Sequence, residues 1–265
     1  MEIRFAPLYS SSSGNSTFIG AGDTRILVDA GVTGKSIEQA LNTIDEDPHG
    51  ISGILVTHEH SDHIKGIGIL SRKYDIPVYA NALTWEAMED KIGDISLRNI
   101  RVVDKTEFYI GDMCILPVEL SHDAADPVGY SVMAGKSRVS ILTDTGKVTA
   151  RMLDRLEGSQ VVLLEANHDV NMLKNGPYPQ ALKQRILSNH GHLSNMSAAA
   201  AALELYRKNV REIILGHISS HNNIKELALR TVKTYVESQG VDTESEVEIV
   251  TANRKSVTGM YLAEA

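Results

Sequence analysis

The sequence predicts an α/β fold of two similar halves, in which two sheets pack face to face with helices outside. Three observations lead there. Apolar strand-like runs followed by amphipathic helical stretches occur twice along the chain. No Pro/Ser-rich linker separates the two runs, so residues 1–265 read as a single domain. The 265 residues are of ordinary globular composition, 42% hydrophobic and 23% charged, enough to bury a sizeable core.

In the first half, residues 3–10, 17–19 and 24–29 read as strands separated by Gly-containing turns. The stretch Ser10-Ser11-Ser12-Ser13-Gly14-Asn15-Ser16 reads as a tight polar loop able to present hydroxyls and backbone N–H groups, or as a plain solvated hairpin. A helix follows over Ser36–Leu41, with apolar residues at Ile37, Ala40, Leu41 and Ile44. Residues 51–56 form a buried strand, 62–74 a helix, 78–80 a strand, 82–91 a helix, and 100–120 a run of shorter strands. In the second half, 129–134 and 138–143 alternate like adjoining strands, then come a helix over 148–156 and a strand at 161–164. From Tyr178 the chain is mostly helical, broken at 188–195, and the alanines at 198–202 favour a closely packed helix. Residues 213–215 form another buried strand, 224–237 a helix, and 247–251 and 257–262 the closing strands.

Several function classes drop out. No apolar run approaches a membrane span, and the start Met1-Glu2-Ile3-Arg4-Phe5 lacks the basic region and apolar stretch of a signal peptide, so a cytoplasmic location is expected. The single Cys114 sits in an apolar run and reads as a core residue, so a metal site here would use His and Asp rather than thiolate. A net charge of −8 argues against a broad basic surface tracking a long duplex, but two divalent cations in one pocket would attract phosphate locally.

The chemistry concentrates in Thr57-His58-Glu59-His60-Ser61-Asp62-His63, directly after the apolar run Ile54-Leu55-Val56. If the strand runs on through His58 and His60, both rings face one side, while Asp62 and His63 fall in the turn beyond. One short segment can thus serve two adjacent metal ions. His122, Asp144 and His217 each come directly after an apolar strand further along.

His-x-His-x-Asp-His after a hydrophobic strand resembles the metallo-β-lactamase superfamily, which implies a four-layer αββα sandwich with a metal site at its mouth. By that resemblance His58, His60 and His122 would hold one ion, Asp62, His63 and His217 the other, and Asp144 would bridge them. Imidazole suits zinc, manganese or iron and the carboxylates keep manganese in view, so ligand type does not choose the metal; two divalent ions, zinc or manganese, are expected. Two such ions would generate a hydroxide nucleophile at neutral pH. Glu165-Ala-Asn, Gly191-His192-Leu-Ser194 and His217-Ile-Ser219-Ser220-His221 are similar to the phosphodiesterase branch, including transfer-RNA 3′-processing nucleases. His192 is the candidate for binding a phosphate oxygen or protonating the leaving group, and otherwise a histidine near a helix start.

Together with Ser12-Ser13-Gly14-Asn15-Ser16, these motifs resemble the YycJ-like (WalJ-like) group over nearly the whole chain. The resemblance implies an exonuclease that degrades DNA from 5′ ends, with Asp62, Asp144 and His192 catalytic. Ser12, Asn15, His192, Ser219 and His221 are the expected substrate contacts. Only 72 residues separate Asp144 from His217, too few for a large inserted clamping domain as well as the helices there. A small-molecule hydrolase of the same fold, such as a cyclic phosphodiesterase, lactonase or thioesterase, is the alternative; oligomeric state is not legible.

Overall fold

The interior strands are apolar on both faces, and this decides the layering. The computed structural model describes residues 1–264. In β3 (Thr24–Val28), Ile26 and Val28 face the space between the sheets, whereas Leu27 packs against helices. In β11 (Val161–Glu165), Leu163 faces inward and Val162 and Leu164 outward in the same way. A sheet needing cover on both faces yields four layers, helix, sheet, sheet, helix.

The first sheet has the order β14 (Tyr261–Ala263), β1 (Ile3–Ser11), β2 (Gly14–Ala21), β3, β4 (Gly53–Leu55), β5 (Val78–Ala80), β6 (Ile100–Val102). The second runs β7 (Phe108–Ile110), β8 (Met113–Glu119), β9 (Val128–Ala134), β10 (Ser137–Leu142), β11, β12 (Glu212–Gly216), β13 (Glu248–Thr251). In each, antiparallel pairs give way to parallel pairs at the same place, between β3 and β4 and between β10 and β11. The two halves anticipated from the strand–helix alternation are therefore the same topology used twice.

Against the first sheet pack α1 (Gly34–Thr43), α3 (Ile67–Tyr74) and α4 (Ala82–Ile92), through Ile37, Leu41, Ile67, Leu70, Trp85 and Met88. Against the second pack α5 (Ala150–Leu156), α8 (Asn195–Arg207) and α9 (Lys225–Ser238). Ala198, Ala199, Ala201 and Ala202 are buried, which lets α8 lie close to its neighbours. Among the described residues, no helix is long and apolar enough to cross a membrane.

Four local expectations need correction. The strand does not continue through His58 and His60; β4 ends at Leu55, because the Thr57 N–H turns to the Asp29 carboxylate and the Thr57 carbonyl accepts from Val128 in the second sheet. The helix expected over 62–74 is broken into α2 (Ser61–Ile64) and α3, where the Gly66 N–H donates to Ala30 O and the Ala30 N–H to His63 O. The polar loop of serines is mostly strand, with only Ser12 and Ser13 between β1 and β2, since Ser10 and Ser11 pair with Asn15 and Gly14. A short helix, α6 (Val170–Asn175), was not anticipated, and the Asp169 carboxylate caps it, accepting from the Asn171 and Met172 N–H groups; α7 (Gln180–Leu187) and α8 fall in the helical stretch expected from Tyr178, on either side of the expected break.

Candidate metal centre

Loops from both halves converge at one edge of the sandwich. Asp29 and Asp144 follow β3 and β10, and each stands in a left-handed conformation, φ 61° and 59°. His217, directly after β12, has φ 50°. Such a backbone costs an L side chain about 1 kcal/mol and persists where surrounding contacts impose it. Here the contacts are close. A Cβ on Gly31 would lie 1.6 Å from Asp62 O, and one on Gly146 would lie 2.3 Å from the Asn189 backbone, so each Asp-x-Gly turn depends on a glycine to let another loop touch it.

The rings of His58, His60 and His122 form one group, with centroids 4.6, 5.1 and 5.1 Å apart. Asp62, His63 and His217 form a second, with His63 Nε2 3.6 Å and His217 Nε2 3.7 Å from Asp62 Oδ2. Asp144 stands between them, Oδ2 3.3 Å from His63 Nε2 and Oδ1 3.9 Å from His122 Nε2. All seven residues singled out as ligands are thus brought together.

The other side of each ring is already committed. The Nδ1–H of His63 donates to Asp29 Oδ2 at 2.7 Å, that of His122 to Gly191 O at 3.0 Å, and that of His217 to Glu165 Oε1 at 2.9 Å. His58 Nδ1 lies 3.0 Å from the Thr57 hydroxyl. These bonds fix the tautomer and leave Nε2 as the donor atom. Buried and without a hydrogen-bond partner are His58 Nε2, His122 Nε2, His217 Nε2 and Asp144 Oδ2. Each such atom costs roughly 1–3 kcal/mol unless something answers it. Two divalent cations, one in each group of histidines, would satisfy all four, so the residues fit metal ions.

The electrostatics agree. Burial opposes charge on His63, but Asp29, Asp144 and Asp62 outweigh it and raise its pKa well above the ordinary imidazole value. Burial likewise disfavours charge on His217, yet Asp144, Asp62 and Glu165 bring its pKa up to about 10. For Asp144 burial favours the acid, and the charges of His217 and His63 reverse this, holding it well below the carboxylate range. His58 goes the other way: burial, then the charge on His63, keeps it neutral. The carboxylates draw positive charge into a site with few solvent contacts.

His192 is set apart. Its Nδ1–H donates to Glu165 Oε1 at 2.7 Å, and its side chain is 16% exposed where the neighbouring ligand candidates His122 and His217 are 1% exposed. Glu165 spends all its acceptors on orientation, taking the His192 and His217 N–H groups on Oε1 and the Thr145 and Leu193 backbone N–H groups on Oε2. Burial opposes its ionisation, but the His192 charge and these bonds bring its pKa down to about 2.

The expected substrate contacts divide. Ser12 and His221 are exposed, the latter with Nδ1 3.3 Å from the Tyr178 hydroxyl. Asn15 turns inward, its Nδ2 3.0 Å from His63 Nε2 and 3.3 Å from Asp62 Oδ2. The Ser219 hydroxyl is buried and accepts from the His221 and Asn222 N–H groups, pinning its own loop.

Sequence reasoning missed Asp29 as a site residue and quoted Glu165 only as part of a motif. A signal for Asp29 was available: Ile26-Leu27-Val28-Asp29-Ala30-Gly31 repeats as Ile141-Leu142-Thr143-Asp144-Thr145-Gly146. Glu165 directly follows the apolar run 161–164, which marks its place but not its role, since its partners lie 27 and 52 residues away.

Comparison with known proteins agrees with this geometry. Residues 24–218 match the Beta-lactamase superfamily domain. The chain is 42% identical to exodeoxyribonuclease YycJ of Bacillus anthracis, over 97% of this chain and 98% of that protein. It is 45% identical to exodeoxyribonuclease WalJ of Streptococcus pneumoniae, over 87% of each. Its fold is similar to the metallo-beta-lactamase fold protein YhfI from Bacillus subtilis, with a TM-score of 0.74 at 15% identity, covering 96% of this chain and 98% of that one. This chain belongs to the beta-lactamase superfamily, in the group of the YycJ and WalJ proteins.

Proposed function

We propose that this chain is a metal-dependent phosphodiesterase that removes nucleotides from the 5′ ends of DNA in the cytoplasm. The observation that carries the reading is the pairing of two kinds of histidine: buried ones with bare Nε2 atoms around Asp144, and the partly exposed His192 held beside them by Glu165. The near full-length similarity to proteins named exodeoxyribonucleases supports DNA as the substrate.

His58, His60 and His122 would hold one divalent ion and Asp62, His63 and His217 a second, zinc or manganese, with Asp144 reaching both. When bound, such ions supply Lewis acidity and a nucleophile at neutral pH. The protein's own groups do the rest. Asp29, Gly191 O and Glu165 keep the ligand imidazoles in one tautomer and orientation. Glu165 holds a proton on His192 Nδ1, so it is the doubly protonated ring that carries a second proton on Nε2, and in that form Nε2–H would pass it to the departing 3′ oxygen or hydrogen-bond a phosphate oxygen. Ser12 and His221, exposed, are the residues left free to meet the substrate, while Asn15 steadies Asp62 and His63.

The test is incubation with zinc or manganese of end-labelled linear DNA, nicked and closed circular plasmid, bis-p-nitrophenyl phosphate, a lactone and a thioester. Release of nucleotides from 5′ ends is expected, with the diester hydrolysed and closed circles intact. Efficient cutting of closed circles, or turnover of lactone or thioester with DNA untouched, would contradict it.

A further inference from the structure

Lys147, Arg151 and Arg155, four residues apart just before α5 and along it, meet Lys105 from a distant segment on one groove. It encloses about 240 Å³ and is lined by Lys105, Lys147, Arg151 and Arg155, with Glu119 the one acid among its lining residues. Four cations against one carboxylate leave a formal +3 on a chain whose sum is −8. Some of this charge is structural. Arg151 pairs with Glu119 at 3.1 Å, and Lys105 bonds Asp126 at 2.5 Å. Among the described residues, Lys147 and Arg155 have no carboxylate within pairing distance.

The groove adjoins the metal centre through the backbone. Ser121 lines it, and the next residue, His122, belongs to the centre. The Gly146 N–H donates to Ser121 O at 2.8 Å, the Ser121 N–H to Thr145 Oγ1 at 3.2 Å, and the Thr145 hydroxyl to Lys147 O at 2.8 Å. The turn that carries Asp144 thus runs straight into Lys147.

We propose that this groove is the track for the sugar-phosphate backbone of the DNA strand on one side of the scissile phosphate, with Lys147 and Arg155 as its phosphate contacts. The inference rests on the nuclease reading above. A strand with one phosphate at the centre must lay its neighbouring phosphates on nearby surface, and the chain as a whole carries a net charge of −8. A second groove, with Glu244, Glu246 and Glu248 against Arg211, would repel them. The basic groove has no aromatic lining on which a base could stack, so it holds the backbone and is indifferent to sequence. Lys147 supplies a mobile point charge and Arg155 a planar fork, both suited to phosphate oxygens.

The test uses the full chain and a fluorescein-labelled dT20, with binding read by anisotropy in EDTA over a range of KCl and cleavage read separately in manganese. Each phosphate contact on a single strand contributes about 0.7 to the slope of log affinity against log salt. K147A/R155A is therefore expected to lower that slope by about 1.4 and weaken low-salt binding about tenfold. K147R/R155K, which keeps both charges, should keep the wild-type salt slope, and bis-p-nitrophenyl phosphate hydrolysis should be unchanged in both. Equal slopes in wild type and K147A/R155A, or no binding by wild type beyond that of the double variant, would overturn the track. Saturable competition by inorganic phosphate in wild type alone would assign the groove to a free anion and also overturn it. Failure of the nuclease reading looks different: the binding difference persists while wild type leaves both DNA and the small diester intact.

Discussion

The two halves of the molecule share a frame and divide the chemistry. In both, a strand ends in an Asp-x-Gly turn with a left-handed aspartate, and the next parallel strand delivers a histidine three residues past its end: His58 after β4, His168 after β11. The next backbone bonds also match, the Val56 N–H donating to Tyr79 O and the Ala166 N–H to Gly216 O. Beyond that the halves diverge. Asp29 grips the Nδ1 side of His63, while Asp144 faces the Nε2 side of the same ring. His58 stands in two of the groups able to hold a metal ion; among the described residues His168 stays outside every such group, buried, with neither ring nitrogen hydrogen-bonded. Burial brings the His168 pKa down to about 4, so the ring is neutral. A shared backbone therefore fixes where a side chain can be presented, and the neighbours decide whether it becomes a ligand, an orienting group or filler.

Exchanging charge for shape at the two aspartates breaks this comparison most sharply. Asp144→Asn should lower activity by orders of magnitude and metal content to one ion or fewer per chain, read by elemental analysis. Full occupancy with near wild-type turnover would remove Asp144 from the centre. His192→Ala should keep the metals and lose about 10²–10⁴ in rate, with part of the loss recovered on a p-nitrophenyl leaving group. Departure of metal with the side chain would make His192 a ligand. Asp29→Asn should be milder, about 10- to 100-fold in metal affinity or activity, because it disturbs only how His63 is held.

The contrast between His58 and His168 is the next step down. His168→Leu has no hydrogen bond to lose and should retain metal and activity within about threefold, whereas His58→Leu should lose both. Equal damage from the two would mean that His168 acts in the reaction.

Much of the fold was legible because burial on both faces leaves an unbroken apolar run. Residues 54–56, 161–164 and 213–215 could only be interior strands, and polar residues directly after them had to sit at the sheet edge. That is why His58 and His217, just past the first and last of these runs, could be placed; His122 and Asp144 come after the alternating strands β8 and β10. What stayed hidden depends on contacts between distant segments. Asp29 read as a strand end until α2 brought His63 against it, 34 residues on. In the basic groove, Lys147, Arg151 and Arg155 recur every fourth residue in the sequence, and only the approach of Lys105 depends on a distant segment.

The smallest expected effect lies where the outer parallel strands of the two sheets differ. The β5–β6 pair begins with Val78 opposite Ile100, whereas β12–β13 begins with Glu212 opposite Glu248. Burial, then the Glu248 charge, pushes the Glu212 pKa from 4.5 up to about 7. The raised value means that the fold favours the acid form. This contribution is present in full below about pH 4.5 and lost as pH rises through about 7. Glu212→Gln should therefore match wild type in acid and exceed it above pH 7. Because Glu212 is partly exposed, the gain should stay below about 1 kcal/mol by denaturant titration. Equal stability at pH 8 would show that solvent screens the pair completely.

The central claim is that ligands from both halves build one centre for two ions. Anomalous diffraction from crystals grown with manganese addresses it directly. Two peaks are expected, one among His58, His60 and His122 and the other among Asp62, His63 and His217, with Asp144 touching both and Glu165 touching neither. A single peak, or one held by Glu165 and His192, would contradict it.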